Sequence, residues 1–378
     1  MKILAFYLPQ FHSIPENDKW WGEGFTEWVN VKKSSPQFKG HVQPEVPLND
    51  NYYCLLDEKS QIWQSELAKK YGIDGFCYYH YWFSGKLLLE KPMENMLKNK
   101  AVDMPFCICW ANEAWSRNWD GHNKDVLIAQ NYEEDEEAWK AHFEYLLKFF
   151  KDERYIKHEG KPMLLIYKPN LIENCAKMAE YWQRLAKENG FPGLYIGWQY
   201  ATNYGHSPKE KGLDFNVEFE PFYTLFEQNK KREGAWGKLT YAIKNPVWLI
   251  NRIKVKLGKN NNILNDYDTA WRDMLKRHPA CEETYAGAFP AWDNTPRRGR
   301  DSMIFTGASP EKFKSYLLKR IDAAKKYYKG DFLFINAWNE WAEGAHLEPD
   351  SVNKYGYLEA VKRAREYAEE TEETKETN

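Results

Sequence analysis

Two glutamates near the C-terminus, Glu340 and Glu343, have a spacing that could support glycoside chemistry. They lie in the segment 339–344, NEWAEG, and on a helical turn residues three apart share a face, with Cβ atoms about 5–6 Å apart. Cleavage of a glycosidic bond needs one protonated carboxyl group for the leaving oxygen and one ionised carboxylate as nucleophile or base. Spacing alone also fits a helix N-terminus with Glu in its first turn. The position of the pair in the fold therefore has to decide between these interpretations.

Three other predicted strands also end in Glu, His or Asn beside aromatic side chains. The segments at the four strand ends are 78–82, 110–113, 218–220 and 338–343. In a (β/α)₈ barrel, catalytic groups lie at the carboxyl ends of the strands. A surface acid explains any one of these segments, but it is a poor explanation of all four together.

Aromatic content points to a ligand with flat apolar faces. Aromatic residues make up 16% of the chain, with 17 Trp and 25 Tyr. Tyr and Trp combine an apolar ring with a hydrogen-bonding edge, which suits sugar rings, and we assign about half of them to packing between strands and helices. Acids and bases nearly balance at a net charge of -2, so the composition argues against nucleic acid as a partner.

Short apolar runs alternate with helical segments along the chain, which predicts an α/β fold with a parallel sheet. The eight predicted strands lie at 2–7, 75–79, 105–109, 163–167, 194–198, 215–219, 284–288 and 332–338. Helices are predicted at 60–71, 134–150, 172–189, 310–327 and 353–369. Eight strands match a (β/α)₈ TIM barrel. The alternative, a doubly wound open sheet, normally has a Gly-rich first turn, and residues 7–11, YLPQF, contain no glycine.

The pattern predicts one catalytic domain over residues 1–368, with long loops at 12–58 and 220–280 after strands one and six. Loops after barrel strands lie at the catalytic face, so both are expected to border the substrate cleft. The acidic, Thr-rich segment 369–378 has no apolar anchor and is predicted to be disordered.

Three further sequence patterns are less specific. Asp266 and Asp268 form a D-x-D pattern found in metal-dependent nucleotide-sugar transferases, but acids are also expected before a helix. The basic, partly apolar segment 230–259 could contact an anionic membrane or a lipid-linked diphosphate, and a solvated helical insertion is the simpler interpretation. The six cysteines lack zinc spacing. We predict no metal, no cofactor and no transmembrane span, and a cytoplasmic location.

Five segments carry a resemblance to a known family. They are 5–31 (AFYLPQFHSIPENDKWWGEGFTEWVNV), 75–92 (GFCYYHYWFSGKLLLEKP), 105–121 (PFCICWANEAWSRNWDG), 289–298 (FPAWDNTPRR) and 336–350 (NAWNEWAEGAHLEPD). Together they resemble the WbsX-type glycosyltransferase family of bacterial O-antigen and polysaccharide gene clusters, over essentially the whole chain. That family is similar to glycoside hydrolase family ninety-nine, the endo-α-mannosidases, which are (β/α)₈ barrels.

The resemblance implies specific roles for the two glutamates. It implies that Glu340 acts as base on the sugar 2-hydroxyl and Glu343 as acid on the leaving oxygen, with retention through a 1,2-anhydro sugar. Ala342 stands where those hydrolases commonly have His. The predicted substrate-binding residues are Tyr7, His80, Trp82, Trp110, Asn112, Glu113, Trp115, Glu220, Trp292, Asn339, Trp341, His346 and Glu348.

Three functions remain open from the sequence. One is a retaining glycoside hydrolase or transglycosylase acting on an α-linked glycan of bacterial polysaccharide. The second is a glycosyltransferase that extends an O-antigen or capsule precursor, which could be lipid-linked; no Rossmann signature supports it. The third is a non-catalytic glycan-binding protein, which would use the aromatic residues but not the paired acids.

Overall fold

The computed structural model describes residues 1–116, 126–132, 135–200, 207–231, 233, 250 and 261–376. Most of the basic segment 230–259 lies outside the described residues. The prediction of a membrane contact there is therefore not addressed by the structure. Within the described part of the chain, no helix has both the length and the apolar character that crossing a bilayer requires.

Eight parallel strands close into a barrel, which confirms the predicted fold. We number them β1 (Lys2–Tyr7), β2 (Gly75–Phe83), β3 (Phe106–Trp110), β4 (Lys161–Ile166), β5 (Tyr195–Tyr200), β6 (Phe215–Glu218), β7 (Thr284–Ala288) and β8 (Phe332–Ile335). Each strand pairs in parallel with the next, and β1 pairs with both β2 and β8. This last pairing closes the sheet.

The barrel strands are apolar on both faces because side chains and helices cover both sides of the sheet. All five residues of β3 are buried, for example. Successive side chains of a strand point to opposite faces. In β2, Tyr79 and Tyr81 line the cavity above the barrel, whereas His80 and Trp82 pack against a helix.

Helices surround the barrel and fill the long loops. They are α1 (Pro15–Trp21), α2 (Glu27–Lys33), α3 (Glu58–Lys70), α4 (Lys91–Lys98), α5 (Glu136–Phe150), α6 (Cys175–Glu188), α7 (Phe222–Lys231), α8 (Tyr267–Lys276), α9 (Thr295–Arg298), α10 (Pro310–Tyr327) and α11 (Gly356–Glu376). The five predicted helices correspond to α3, α5, α6, α10 and α11. Polar caps fix several of their starts; the Asp57 carboxylate, for instance, accepts a hydrogen bond from the Lys59 amide.

Two sequence patterns have structural explanations. The first acid of the D-x-D pattern, Asp266, caps α8 by accepting a hydrogen bond from the Thr269 amide at 2.8 Å. The second, Asp268, pairs with Lys312. Helix α11 ends at Glu376 and so overlaps the segment 369–378, where disorder stays a prediction. Glu, Lys and Ala are good helix formers, so a helix that is already packed along its first turns can extend through an acidic segment.

The first long loop, 12–58, is not extended chain but contains α1 and α2. The second contains α7 and α8, with part of the segment between them outside the described residues. Short strand pairs cross the same end of the barrel: Trp115–Ser116 with Val126–Ile128, and Asn339–Glu340 with Ala345–His346. These additions form the walls of a cleft above the carboxyl ends of the barrel strands.

Candidate active site

The cleft contains a pocket that combines aromatic and charged side chains. Its aromatic wall is formed by Tyr79, Tyr81, Trp115, Tyr167, Phe219 and Phe222. Its charged side chains are Glu113, Arg297, Arg298, Glu340 and Glu343. The lining comes from the ends or following loops of several barrel strands, which is where (β/α)₈ enzymes hold their reacting groups.

The guanidinium of Arg297 joins the two glutamates that the sequence analysis singled out. Its Nη2 lies 2.8 Å from Glu340 Oε1, and its Nη1 lies 2.5 Å from Glu343 Oε1. A third carboxylate, Glu27 on α2, has Oε2 at 3.4 Å from Nη2. The side chains of Arg297 and Glu340 are only 9% and 8% exposed. One buried cation is therefore shared among three carboxylates.

A tight turn places Glu340 and Glu343 on the same side of the pocket. A 3₁₀ turn spans Trp341–Glu343, and residues three apart are eclipsed in that geometry. Gly344 ends the turn with φ +59°, and a Cβ there would lie 2.9 Å from the backbone nitrogen of Asp293. Glycine is therefore required at this position both by its dihedral angle and by the close approach of the neighbouring loop.

Hydrogen bonds of Asp293 hold the loop that carries Arg297, both to the turn 341–343 and within the loop. The Asp293 amide donates a 2.7 Å hydrogen bond to the Glu343 carbonyl. The Asp293 carboxylate accepts hydrogen bonds from the Thr295 amide at 2.9 Å and from Gln43 Nε2 at 2.7 Å. These contacts fix the start of α9, so the position of Arg297 relative to Glu343 is set by the backbone.

Helix α2 is fixed by Trp28, the residue that follows Glu27. Trp28 Nε1 donates a 2.8 Å hydrogen bond to the Tyr53 carbonyl, and the ring of Trp28 packs against that of Trp341 at 5.4 Å. Because Trp28 anchors the first turn of α2, the preceding Glu27 is held towards Arg297. A segment that was predicted to be a loop thus supplies one carboxylate of the cluster.

Burial dominates the electrostatics of the cluster. It raises the pKa of Glu340 well above its usual range, and the charge of Arg297 offsets only part of this effect. Burial also raises the pKa of Glu343, again against the charge of Arg297. The pKa of Arg297 is itself raised, since three carboxylates more than offset the effect of its burial. The site thus favours a protonated carboxyl group at a pH where an exposed Glu would be ionised.

Glu340 has one carboxylate oxygen without a partner. Its Oε2 is buried and makes no hydrogen bond within the described residues, while its Oε1 contacts Arg297. Buried polar atoms are normally hydrogen-bonded. An unpaired carboxylate oxygen on the wall of a pocket is therefore suited to accept a hydrogen bond from a bound molecule.

Two of the predicted substrate-binding residues line this pocket. Glu113 is a half-buried carboxylate paired with Lys168, and Trp115 packs edge-on against Tyr81 with ring centroids 5.1 Å apart. Both follow the end of β3, as the sequence analysis expected of functional residues. They are the members of the predicted set, besides Glu340 and Glu343, that the structure brings to the pocket.

Three predicted residues point away from the pocket towards the helix layer. His80 Nε2 lies 3.0 Å from the Nε2 atom of His142 on α5. The ring of Trp82 stacks on that of His142 with centroids 4.7 Å apart, and the ring of Trp110 meets the His142 ring edge-on at 4.6 Å. Burial lowers the pKa of His80 to about 3. The strand ends do carry polar and aromatic residues, but alternation sends these three to the outer face.

Five residues, three of them predicted site residues, form a hydrogen-bonded network behind the turn. The buried carboxylate of Glu348 accepts hydrogen bonds from Tyr53 Oη at 2.7 Å, Gln64 Nε2 at 2.7 Å and Trp341 Nε1 at 2.6 Å. Tyr7 Oη donates to Gln64 Oε1 at 2.7 Å. The predicted site residues Tyr7, Trp341 and Glu348 therefore connect the barrel to α3 and lie outside the lining of the pocket.

Two more predicted residues hold the turn in place. The side-chain amide of Asn339 pairs with the backbone of Leu8, at 2.8 Å from its amide and 3.0 Å from its carbonyl. The ring of His346 stacks on Trp341 at 3.7 Å, and its Nε2 lies 2.9 Å from Glu45 Oε2. Burial lowers the pKa of His346, but the Glu45 carboxylate more than offsets this, so the net shift is upward.

The three remaining predicted residues are also internal. Glu220 is buried and pairs with Arg277 at 2.6 Å. Asn112 accepts a 2.7 Å hydrogen bond from the Lys168 amide, and Trp292 is 1% exposed and packs against Phe222. Asn112 and Trp292 lie beside residues of the pocket wall, so their contacts shape it from behind.

We expect Glu348→Leu to lower the free energy of unfolding by about 3 kcal/mol, since three buried donors would lose their acceptor. Denaturant unfolding followed by fluorescence measures this change. Glu45→Leu is the control, because the Glu45 side chain is 25% exposed and its carboxylate pairs with His346; its loss should stay below about 1 kcal/mol. Unchanged stability of Glu348→Leu together with loss of glycan binding would instead indicate direct substrate contact.

Sequence reasoning missed the cation and the third acid of the cluster. Arg297 lies in the segment 289–298 that carries the family resemblance, but Trp292 was selected there. Glu27 lies in the segment 5–31, within a region predicted to be a loop. Tyr79 and Tyr81 could have been found by counting alternate residues along β2 from Cys77, which faces the barrel interior.

Comparison with known proteins supports the fold and gives a family. The sequence profile described as glycosyltransferase WbsX matches residues 3–361. Two proteins described as uncharacterized protein WxcX, from two strains of Xanthomonas campestris pv. campestris, are each 36% identical over 365 residues. The match covers 96% of this chain and 49% of each relative. The chain therefore spans about half the length of these relatives.

Solved structures with the same fold include carbohydrate-active proteins. A GH99 endo-alpha-mannosidase from Bacteroides thetaiotaomicron superposes with a TM-score of 0.57 at 12% identity, covering 98% of both chains. A protein described as glycoside hydrolase-like gives a TM-score of 0.57 at 13% identity, covering 96% of this chain and 93% of its own. At such low identity these similarities establish the barrel fold alone.

Proposed function

Because the chain belongs to the WbsX family of glycosyltransferases, a family of carbohydrate-active enzymes, we propose that it is a retaining, endo-α-mannosidase-like enzyme. Its substrate would be an α-linked glycan of bacterial polysaccharide, such as an O-antigen chain. The observation that carries the proposal is the buried pair Glu340 and Glu343 on one pocket wall, with Arg297 between them. Cleavage of a glycosidic bond generally uses two carboxyl groups, one as acid and one as base or nucleophile.

The environments of the two carboxylates support different roles. Glu340 is the more buried, at 8% against 21% side-chain exposure for Glu343, and its Oε2 is unpaired. An unpaired acceptor oxygen suits the base that takes the proton of the sugar 2-hydroxyl. The raised pKa of Glu343 suits an acid that is still protonated when the substrate arrives. The pKa of Glu340 is raised as well, so its role as base depends on the charge of Arg297, which favours its ionised form.

In this mechanism Glu340 removes the 2-hydroxyl proton, and the sugar O2 attacks C1 as the C1–O glycosidic bond breaks. The proton of Glu343 passes to the leaving oxygen, which gives a 1,2-anhydro sugar. Water or another sugar hydroxyl then attacks C1, losing its proton to Glu343, while O2 takes the proton held by Glu340. Two inversions at C1 give net retention. The 2-hydroxyl must lie trans to the leaving group, as it does in α-mannosides.

Transfer to a sugar from a nucleotide-sugar donor is the second candidate, and the family description favours it. Calorimetric titration with nucleotide sugars separates the two. Saturable binding of one of them would favour the donor-dependent transferase over the glycosidase-like mechanism. A non-catalytic glycan-binding protein, the third candidate, would bind oligosaccharides without producing any product.

The direct test is a screen of the purified protein against O-antigen and mannan oligosaccharides, with and without nucleotide sugars, with products identified by mass spectrometry. We expect shortened or rearranged glycans from at least one oligosaccharide without any nucleotide sugar. Products that form only when a nucleotide sugar is present would overturn the proposed mechanism. No product in either arm, with binding retained, would support the non-catalytic alternative.

A further inference from the structure

A second pocket adjoins the candidate active site. Both pockets are lined by Gln10, Trp115 and Arg297, so they are two compartments of one cleft that meet at the Arg297 cluster. The walls of the second compartment, which we call the side pocket, come mainly from α1, α2 and the strand Trp115–Ser116. The first long loop of the chain is therefore what creates it.

The side pocket combines flat aromatic faces with amide side chains. Trp21 and Phe25 line it together with Trp115, and Asn17 and Asn30 supply amides. Aromatic faces offer apolar contact to C–H groups, while each amide can both donate and accept hydrogen bonds. A purely aliphatic ligand would leave these amides unpaired, and a small anion would not use the aromatic faces.

Asn17 sets a polar requirement on any ligand of the side pocket. It is only 6% exposed and lines the pocket, so a molecule that fills the pocket removes the water that can reach its amide. Hydrogen bonds lost in this way have to be replaced, because an unmade hydrogen bond costs free energy. A molecule that fills this pocket should therefore carry both hydrogen-bond donors and acceptors.

We propose that the side pocket binds a second sugar residue of the glycan, adjacent to the residue that reacts beside Glu340 and Glu343. A sugar ring has an apolar C–H face for Trp21 or Phe25 and hydroxyl groups that can donate to and accept from Asn17. The inference rests on the proposed function. It adds that recognition spans the Arg297 cluster, so that at least a disaccharide is needed for tight binding.

Arrayed α-linked oligosaccharides of mannose, rhamnose, fucose and glucose, each from one to four residues long, test this inference with the intact chain. We expect retention to begin at two residues. Asn17→Ala and Trp21→Ala should each weaken retention about tenfold, as expected for one or two lost hydrogen bonds or a lost ring contact. Asn95→Ala, on α4 and outside both pockets, is the matched control and should bind like the wild type.

The outcomes distinguish this inference from the proposed function. Retention of monosaccharides as tightly as disaccharides, or unchanged retention by both pocket variants, would overturn the side-pocket assignment and leave the proposed reaction standing. Failure of the wild-type protein to retain any glycan would overturn both. Thermal unfolding of each variant checks that weaker retention does not reflect a loss of the fold.

Discussion

Glu340→Gln and Glu343→Gln should each lower turnover of the glycan by about a thousandfold or more, while the dissociation constant for the same glycan changes little. Each substitution removes a proton acceptor or donor from the reaction. The amide keeps the shape of the side chain and one oxygen that can still contact Arg297. Initial rates, together with calorimetric titration of the same oligosaccharide, measure the two effects separately.

The assignment of acid and base can be tested with a better leaving group. Dinitrophenolate departs without a proton, so a dinitrophenyl glycoside of the reactive sugar should restore much of the rate of the first step in Glu343→Gln, measured as a burst of dinitrophenolate, although the second step still lacks its base. The same substrate should not restore Glu340→Gln, because activation of the 2-hydroxyl is still needed. Restoration of Glu340→Gln alone would reverse the two roles.

Glu94→Gln is the control for both variants, since Glu94 is a carboxylate on α4 that pairs with Lys148 and lies outside both pockets. It should turn over the glycan at the wild-type rate. Wild-type turnover in both Glu340→Gln and Glu343→Gln would exclude these residues as the catalytic pair. Loss of binding in either would indicate that the site had been distorted.

The fold could be predicted from the sequence because its signals are local. A barrel strand buried on both faces appears as a short apolar run, and the helix between two strands appears as an apolar stripe at three- and four-residue spacing. The pairing of β1 with β8 closes the barrel across the whole chain, and it follows from the number of strands rather than from any one motif.

The site could be predicted only in part, because neighbouring residues at a strand end point to opposite faces of the barrel and residue type alone does not show which face each one takes. His80 and Tyr81 are neighbours in sequence, but Tyr81 lines the pocket and His80 contacts His142 on α5. The polar and aromatic residue types correctly indicated the segments that border the pocket, since the pocket lies at these strand ends. The face of each residue, which decides whether it can reach a substrate, required the register of the barrel.

Arg297 was missed for a different reason. A single arginine in a loop has no periodicity, and its role depends on three acids that are all distant from it in sequence, Glu27 on one side and the neighbouring Glu340 and Glu343 on the other. Only the closed barrel, which brings β1 beside β8, places Glu27 and Glu340 next to the loop after β7. The charge balance of the site is therefore a property of the tertiary structure.

Arg297→Met should lower the free energy of unfolding by about 3 to 5 kcal/mol at neutral pH. The buried carboxylates of Glu27 and Glu340 and the half-buried one of Glu343 would lose their shared cation. Turnover should also fall by about a hundredfold or more, since Glu340 would lose the positive charge that favours its ionised form. Denaturant unfolding and initial rates measure these two changes. Arg363→Met on α11 is the control: its side chain is 72% exposed and lines neither pocket of the cleft, so its loss should cost about 0.5 kcal/mol or less.

The loss of stability in Arg297→Met should depend on pH in a defined direction. Burial already raises the pKa values of Glu340 and Glu343 in the folded protein, and removing the arginine raises them further. Below the ordinary Glu pKa of about 4.3, both glutamates are protonated in the folded and in the unfolded state, so their ionisation does not lower the free energy of unfolding. As the pH rises towards the folded-state pKa values, the unfolded chain loses its protons first, so the folded state is progressively disfavoured.

The variant should therefore be closer to the wild type in stability at pH 5 than at pH 8, where these carboxyl groups have to ionise against burial. Glu27→Gln added to Arg297→Met should recover part of the loss at pH 8, because one acid fewer then remains without a cation. An equal loss of stability at both pH values would show that the arginine acts through packing instead of charge. In that case the division of protons between Glu340 and Glu343 would have to come from burial alone, and the pH dependence of turnover in the variant would resemble that of the wild type.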